Sequence, residues 1–577
     1  MKKIILVDFF DTVMFRRIHS SQIPQQWAKG MLTRYPILYN KYNEENICKL
    51  LNQARGDLRK SYKEPPYKKV IELFYDNLGG FDKLNVPKDE FIQLSYELNV
   101  AVELGCQYPN KRMVNRLRKA KEKGSSIYIV SDFYLPESSY NDFLIKAGIK
   151  DLFDGIFVSE TYNATKADGS LYDLVLDRLQ AKCEDVMMIG DSRHSDKEIS
   201  LQKGIKGIWY FPFRHKVWTN ISKRLNLDYS KRMASKEAQW LYGNSNYGEY
   251  GLMLYQFCCK LLMRSNEDRA DKLAFLSRGG HFLKSAYDTF MHLLGIQGAE
   301  SYYCYNSRKV CFKARDEKPI NSEQYRLMRD YMGGFLSTDG RLYLVDEGWY
   351  NHSQMAMCEA FGYGITGYYI GCMGGIDASL ADKCSNKGLL FDNKGAFGVS
   401  RYYGVFRTNC SMYEQILAAN HGSVTAYRRN QEGEIEPVLK ENTLETEIYN
   451  MYIKDLQAQM LLIIKGLTAW NMGECLSEKF LAKMILRTSI FANRERCRFM
   501  NSLDSHRFDN CSDGKAKTDK SIKDVNINIA ELICNPGSYL GMFCKLQRKL
   551  VGQSFFMLIY YPFAYCYYWY VRLCERI

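Results

Sequence analysis

The chain holds 18 cysteines among 577 residues, yet it has no Cys-x-x-Cys pair and no cysteine spacing of a zinc site. Zinc-ribbon and dithiol redox motifs are thereby excluded, and reduced, mostly buried thiols are expected. The opening Met1-Lys2-Lys3-Ile4 leads into an apolar run that Asp8 cuts off too soon for a secretory signal. No segment recurs at a fixed period, which speaks against a repeat architecture. No nucleic-acid-binding motif is found, so no nucleic acid is expected as a partner. The formal net charge of +14 suits small anionic ligands or an anionic membrane surface instead. These absences together point to a cytoplasmic enzyme.

What is present is concentrated in the first two hundred residues. Three apolar runs read as buried parallel strands: Ile4-Ile5-Leu6-Val7, Ile127-Tyr128-Ile129-Val130 and Val186-Met187-Met188-Ile189. Each is followed at once by polar residues. These are Asp8-Phe9-Phe10-Asp11-Thr12, then Ser131-Asp132, then Gly190-Asp191-Ser192-Arg193-His194-Ser195-Asp196, with Lys166 in a loop between the last two. Open α/β sheets bind ligands at the carboxyl ends of their strands. Any one of these strand ends is a weak signal, and the ordered set is a strong one.

The set resembles the four motifs of the haloacid dehalogenase (HAD) superfamily of aspartate-nucleophile hydrolases, over roughly residues 1–215. The resemblance implies a Rossmann-like α/β domain with Asp8 as nucleophile, Ser131 as the phosphate-binding hydroxyl and Lys166 as the lysine of the third motif. It further implies Asp191 as the acidic residue holding Mg2+, supported by Asp196. The chemistry is consistent with those residue types. A carboxylate attacking a phosphate ester meets like-charge repulsion, which a hard cation held by one or two carboxylates relieves. Asp8 and Asp191 can supply those carboxylates, and the Phe10 carbonyl can complete the protein's share. Lys166 can balance charge on the nucleophile and on the transferring phosphoryl group. Thr12 and Asp132 are expected to line the substrate. An aspartyl phosphate on Asp8, hydrolysed by water, is the expected intermediate.

One position departs from the pattern. Phosphatases of the superfamily carry a second aspartate two residues after the nucleophile as general acid and base, and here that position is Phe10. Such an acid contributes roughly 10²–10⁴-fold. Three readings follow: a substrate with a good leaving group, an acid from elsewhere such as His194 or the cap, or a site that binds phosphate and turns over slowly.

Between the first two motifs, residues 14–105 read as an α-helical cap, with apolar residues at spacings of three and four near 45–60, 67–78 and 88–103. Caps close over substrate and exclude water. Phe74 and Tyr75 are read as packing residues. Residues 216–240, basic and polar, read as a linker.

Residues 241–430 again alternate strand-like runs, turns and helices, which implies a second α/β domain with a mostly parallel sheet. Its turns follow Leu273-Ala274-Phe275-Leu276, Tyr302-Tyr303-Cys304-Tyr305 and Leu342-Tyr343-Leu344-Val345. Arg278 and Arg308 are candidate bidentate phosphate contacts. A turn from Gly348 to Ser353 at a helix start is a candidate anion cradle. A nucleotide, nucleotide-sugar or sugar-phosphate ligand fits. Phe275-Leu276-Ser277-Arg278, the Val345-Asp346 to Gly348-Trp349 turn and Glu414 to His421-Gly422-Ser423 resemble the second half of bacterial HAD-fusion proteins associated with surface-polysaccharide biosynthesis. Gly279 stands where that family form has an aspartate.

Residues 431–577 read as mainly helical, with 501–525 as an exposed polar loop. From Leu550 to Val571 there is no charge and a crowd of aromatics, flanked by Lys545, Arg548, Lys549 and Arg572. Tyrosine hydroxyls and Pro562 argue against a membrane span. Packing onto the protein itself is the first reading of 550–577, and a peripheral membrane or protein contact is the second. The function expected is Mg2+-dependent hydrolysis of a small phosphorylated metabolite, with glycan synthesis as the expected setting. The alternatives are a phosphate-binding scaffold with little turnover, or a bifunctional enzyme with transferase activity in 241–430.

Overall fold

A computed structural model describes residues 4–225, 233–241, 247–316, 322–393, 400–408, 410–441, 443–491, 494–505, 539–550, 554–574 and 576–577. The chain divides into two compact units. The first is Met1–Trp240 with His292–Ile296 and Lys465–Met472. The second is Leu241–Met291, Gln297–Ile464 and Gly473–Ile577.

In the first unit, strands β1 (Ile4–Val7), β2 (Met14–Arg16), β3 (Gln107–Pro109), β4 (Ser126–Ser131), β5 (Gly155–Val158), β6 (Val186–Gly190) and β7 (Lys206–Trp209) form two sheets. The main sheet is wholly parallel, in the order β5-β4-β1-β6-β7. Its central strands are continuous apolar runs because helices cover both faces, and Leu6, Val7, Ile127, Ile129 and Met188 are fully buried. Strand order reverses between β1 and β6, which opens a crevice at their carboxyl ends. Register decides what meets there. Val7 lies opposite both Ile129 and Ile189, so Asp8, Ser131 and Asp191 emerge along one edge.

The insert after β1 leaves and returns through the antiparallel ribbon β2–β3, with Phe15 opposite Tyr108. Between them stand helices α1 (Ile23–Arg34), α2 (Glu44–Leu58), α3 (Tyr67–Leu78), α4 (Gly80–Leu84) and α5 (Lys88–Cys106). The Asn43 side chain caps α2 by accepting the Asn46 amide at 2.9 Å. Trp27, Met31, Ile47, Phe74 and Phe91 are buried among these helices, each worth about 1.5–3 kcal/mol in transfer terms. Phe74 and Tyr75 pack on Phe91 with ring centroids 6.1 and 5.1 Å away, a core role. The stretch read as a linker is partly helical. Helix Phe213–Arg224 follows β7 directly and buries His215 and Thr219 in the first unit.

In the second unit, β8 (Lys272–Leu276), β9 (Glu300–Cys304), β10 (Arg341–Trp349), β11 (Gly364–Cys372) and β12 (Cys384–Asp392) form a parallel sheet in the order β12-β11-β10-β8-β9. Helices Arg308–Asp316, Glu323–Gly333 and His352–Phe361 alternate with its strands. Downstream, an antiparallel pair (Val424–Arg429 with Ile435–Leu439) precedes a mainly helical region. Residues 501–505 end helix Arg494–Ser505, and the rest of the expected polar loop, 506–525, lies outside the described residues. The tail is a helix, Ser554–Cys574, that continues through Pro562. Its buried side packs on the protein itself: Tyr560 donates to the Ile490 carbonyl at 3.0 Å, and Tyr567 stacks on Phe543 at 3.7 Å. Tyr561, Tyr565, Trp569 and Leu573 face outward. Among the described residues no helix is long and apolar enough to cross a membrane, and the cysteines are free thiols.

Candidate active site

Asp8 follows the last residue of β1 and is buried to 7% exposure. The Lys166 ammonium donates to its Oδ1 at 2.6 Å and to Asp196 Oδ1 at 2.7 Å. Lys166 is itself buried, and its loop is fixed by its own amide, which donates to Asp132 Oδ1 at 2.8 Å. Asp196 is fully buried and reaches the centre from a widened helical turn, Arg193–Ile199. That turn is capped by the Ser192 hydroxyl, which accepts the Ser195 amide at 3.1 Å. The second oxygen of Asp196 accepts the Ser192 amide at 2.9 Å. Gly190 is required beside it, because a Cβ there would lie 2.1 Å from Asp196 Oδ2. Ser131 is buried at the end of β4. One carboxylate oxygen each from Asp8, Asp191 and Asp196 lie within 4.8 Å of one another.

The charges are tightly balanced. Burial, then the neighbouring Asp196 and Asp191, push the Asp8 carboxyl well above the usual carboxylate range, against the pull of Lys166. Burial alone would lower the Lys166 ammonium, but Asp196 and Asp8 outweigh it and raise it. Asp191 is also raised by burial, although Lys216 opposes this.

Several residues differ in role from the sequence expectation. Thr12 is fully buried and donates to Asp8 Oδ2 at 3.3 Å, which gives it a positioning contact to Asp8. Asp132 orients the lysine loop. His194 points outward beside Glu198 at 3.7 Å, away from the role of acid. Phe10 lies under the Arg16 guanidinium, 3.7 Å from its ring centre, and packs on Phe133 at 4.4 Å. Arg16 in turn makes a buried bidentate pair with Glu103, at 2.9 and 2.7 Å.

Two further site residues, His215 and Lys216, stand where the HAD-like stretch was expected to pass into the linker. His215 Nε2 is 3.1 Å from Asp11 Oδ1, and the Lys216 ammonium bridges Asp11 and Asp191, the latter at 2.8 Å. Asp11 adopts φ 59°, which turns its side chain toward this helix. Burial would raise its carboxyl, but hydrogen bonds from His215 and Lys216 hold it below the usual range. The one available signal was position: helix Phe213–Arg224 starts right after the carboxyl end of β7.

In the second unit, Arg278 follows β8 and pairs with Glu445 at 2.6 Å, and Arg308 opens a helix after β9. The turn expected from Gly348 to Ser353 is shorter, running from Trp349 (φ 81°) to Asn351 (φ 58°) before helix His352–Phe361. β10 continues to Trp349, with Gly348 paired to Gly371, so the Gly348 backbone is used by the sheet. Ser353 is the second residue of helix His352–Phe361, beside the Cys311 thiol.

Residues 2–197 match the haloacid dehalogenase-like hydrolase family. A sesquiterpene phosphatase of Aspergillus oryzae is 29% identical over 87 residues, 15% of this chain and 43% of that protein, so the match spans less than half of the relative. A 2-haloacid dehalogenase from Pseudomonas syringae pv. tomato is 15% identical, over 36% of this chain and 86% of that one, with a TM-score of 0.28. A predicted phosphoglycolate phosphatase from Haemophilus somnus is 12% identical, over 39% of this chain and 98% of that one, with a TM-score of 0.24. The first unit thus contains a HAD-type Rossmann-like domain, followed in the chain by a further α/β domain and a helical carboxyl-terminal region.

Proposed function

We propose that the chain is a hydrolase of small phosphorylated metabolites, with Asp8 as the nucleophile. One observation carries this reading: a buried carboxylate at the switch point is held by a buried lysine, with two further carboxylates within 4.8 Å. The family match and the sesquiterpene phosphatase relative support the reaction class. The site's residues supply distinct parts. Lys166 and Thr12 hold the two oxygens of Asp8, fixing its line of attack on phosphorus. Lys166 also opposes the rise that burial imposes on the Asp8 carboxyl, which favours its ionised, nucleophilic form. Ser131 is the hydroxyl positioned for a phosphoryl oxygen. Attack gives an aspartyl phosphate, which water then cleaves.

The donor set fits Mg2+. Asp8, Asp191 and Asp196 bring three carboxylates against the ammonium groups of Lys166 and Lys216, and hard oxygen donors are what Mg2+ takes. Asp8 and Asp191, with the Phe10 carbonyl, would hold the ion. Asp196 has both oxygens engaged by Lys166 and Ser192, so it would support from behind. Bound there, Mg2+ supplies charge neutralisation between the nucleophile and the phosphoryl group.

Phe10 narrows the substrate. With an aromatic ring where an acid would stand, the leaving group must depart with little proton assistance, which favours stable leaving groups such as anomeric or anhydride oxygens. That fits a role in glycan synthesis. It is also the observation that keeps a phosphate-binding scaffold as the second reading. Released phosphate, measured with Mg2+ on a panel of sugar phosphates and nucleotides beside Asp8→Asn, decides between them. Turnover that falls at least about 10³-fold in the variant supports the hydrolase. Absence of turnover on every member, with the fold intact, supports the scaffold.

A further inference from the structure

The sheet of the second unit has its own switch point. Chain order runs β8, β9, then back across β8 to β10, β11 and β12, so the reversal lies between β8 and β10. Ligands bind at the carboxyl edge of such a reversal. What gathers there is chemically mixed. β10 carries Asp346 and Glu347 in its carboxyl-terminal half, and the turn after β8 carries Arg278 and Gly279. Glu347 packs directly on that turn, since a Cβ on Gly279 would meet Glu347 Oε2 at 1.9 Å. The Ser277 hydroxyl donates to the Asn306 carbonyl at 2.7 Å, joining the β8 turn to the turn after β9 that leads to Arg308. His421 Nδ1 donates to the Gly422 carbonyl at 2.9 Å, leaving Nε2 to accept from the Tyr303 hydroxyl at 2.7 Å.

Among the described residues, Asp346 Oδ1 and Glu347 Oε2 are buried acceptors with no hydrogen-bond partner. Buried polar atoms are normally satisfied, and a carboxylate oxygen can be satisfied only by a donor. Burial, then the adjacent Glu347, push the Asp346 carboxyl well above the usual range, while Arg308 pulls it back. The edge therefore combines one buried, unsatisfied oxygen on each of two adjoining carboxyl groups with two guanidinium groups, of which Arg278 is also paired with Glu445. A vicinal diol offers two adjacent hydroxyl donors, and a phosphate is the natural complement of arginine.

We propose that this edge binds a phosphorylated ligand bearing a vicinal diol, with Asp346 and Glu347 accepting the diol hydroxyls and Arg278 and Arg308 supplying positive charge for the phosphate. The diol and phosphate can belong to a free sugar phosphate or to the ribose of a nucleotide, and the test separates these. Full-length protein carrying Asp8→Asn is titrated calorimetrically with ADP, 2′,3′-dideoxy-ADP, glucose 1-phosphate and inorganic phosphate. Phosphate held near residue 8 is common to all four and cancels in the comparison. The expected result is that ADP or glucose 1-phosphate binds at least about tenfold more tightly than its diol-free counterpart. Tight ADP assigns the ribose, and tight glucose 1-phosphate assigns the sugar phosphate. Glu347→Gln should erase that difference while leaving the dideoxy analogue unchanged. Equal affinities with and without the diol, no binding of any probe at 1 mM ligand (about the weak limit for such a site), or a difference that survives Glu347→Gln would each overturn the proposal. The analogue comparison needs no change in the second unit, so it stands even if Glu347→Gln fails to fold.

Discussion

Replacing Lys166 by Met tests the electrostatic account of the first site most directly. The side chain keeps its stem and loses the ammonium between Asp8, at 2.6 Å, and Asp196, at 2.7 Å. Removing one partner of a buried ion pair costs about 3–5 kcal/mol, because the other charge is left without compensation. Two carboxylates lose their partner here, but the losses do not add. Asp196 keeps the Ser192 amide, and Asp8 can take up a proton. The expected cost at neutral pH is therefore about 3–5 kcal/mol, or roughly 6–20 °C in the melting of the first unit. The pH dependence has a definite sign. Because the fold raises the Asp8 carboxyl, its contribution is fully present below the ordinary carboxylate value of about 4 and fades as pH rises through the raised value. Without Lys166 that value rises further, so the deficit of the variant is largest at pH 8 and shrinks toward pH 5. Calorimetric melts of both proteins at the two pH values measure this. A shift below about 2 °C, or a deficit of equal size at both, would refute the reasoning.

Three further outcomes follow from other parts of the structure. Phe10→Asp restores an acid at the leaving-group side, and should speed poor leaving groups by about 10²-fold or more relative to p-nitrophenyl phosphate; an unchanged ratio in steady-state assays would show that Phe10 does not limit protonation. Arg16→Met strands the fully buried Glu103, which retains only Gln107 Nε2 at 2.7 Å among its side-chain partners described here, so about 3–5 kcal/mol should be lost in urea unfolding and largely regained by adding Glu103→Leu. Lys216→Met weakens the pairing that depresses the Asp11 carboxyl, a part-exposed pair worth about 1 kcal/mol; that deficit should be complete above about pH 4, where unfolded aspartates are ionised, and vanish as Asp11 protonates at lower pH.

The parts of the first site that could be read from sequence were those placed by strand ends. Asp8, Ser131 and Asp191 each follow an apolar run by one or two residues, and parallel register brings such positions together whatever the intervening length. Lys166 was legible only as part of that set. His215 and Lys216 were not, because a helix that folds back to the edge looks, residue by residue, like a basic connector. Thr12 was legible as a site residue but not as a support for Asp8, since that depends on burial. Gly348 was placed one residue too far into the turn, because its φ of 99° and its close approach to Gly371, whose carbonyl a Cβ would meet at 2.5 Å, both call for glycine while it still pairs in the sheet. The pairing of Arg16 with Glu103 joins residues 87 apart in sequence and leaves no local pattern.

The ribbon at the root of the helical insert gives that insert a shared doorway. Chain enters at β2 and leaves at β3, the Asn110 amide donates to the Val13 carbonyl at 2.8 Å, and the Arg17 amide donates to the Cys106 carbonyl at 2.9 Å. The parent sheet therefore sees two chain ends already tied together, whether the excursion beyond them is long or short. Closing a longer excursion costs only slowly more entropy. The insert is thus a replaceable cassette: a different set of helices hung on the same doorway would change what reaches the carboxylates without moving the strands that carry them.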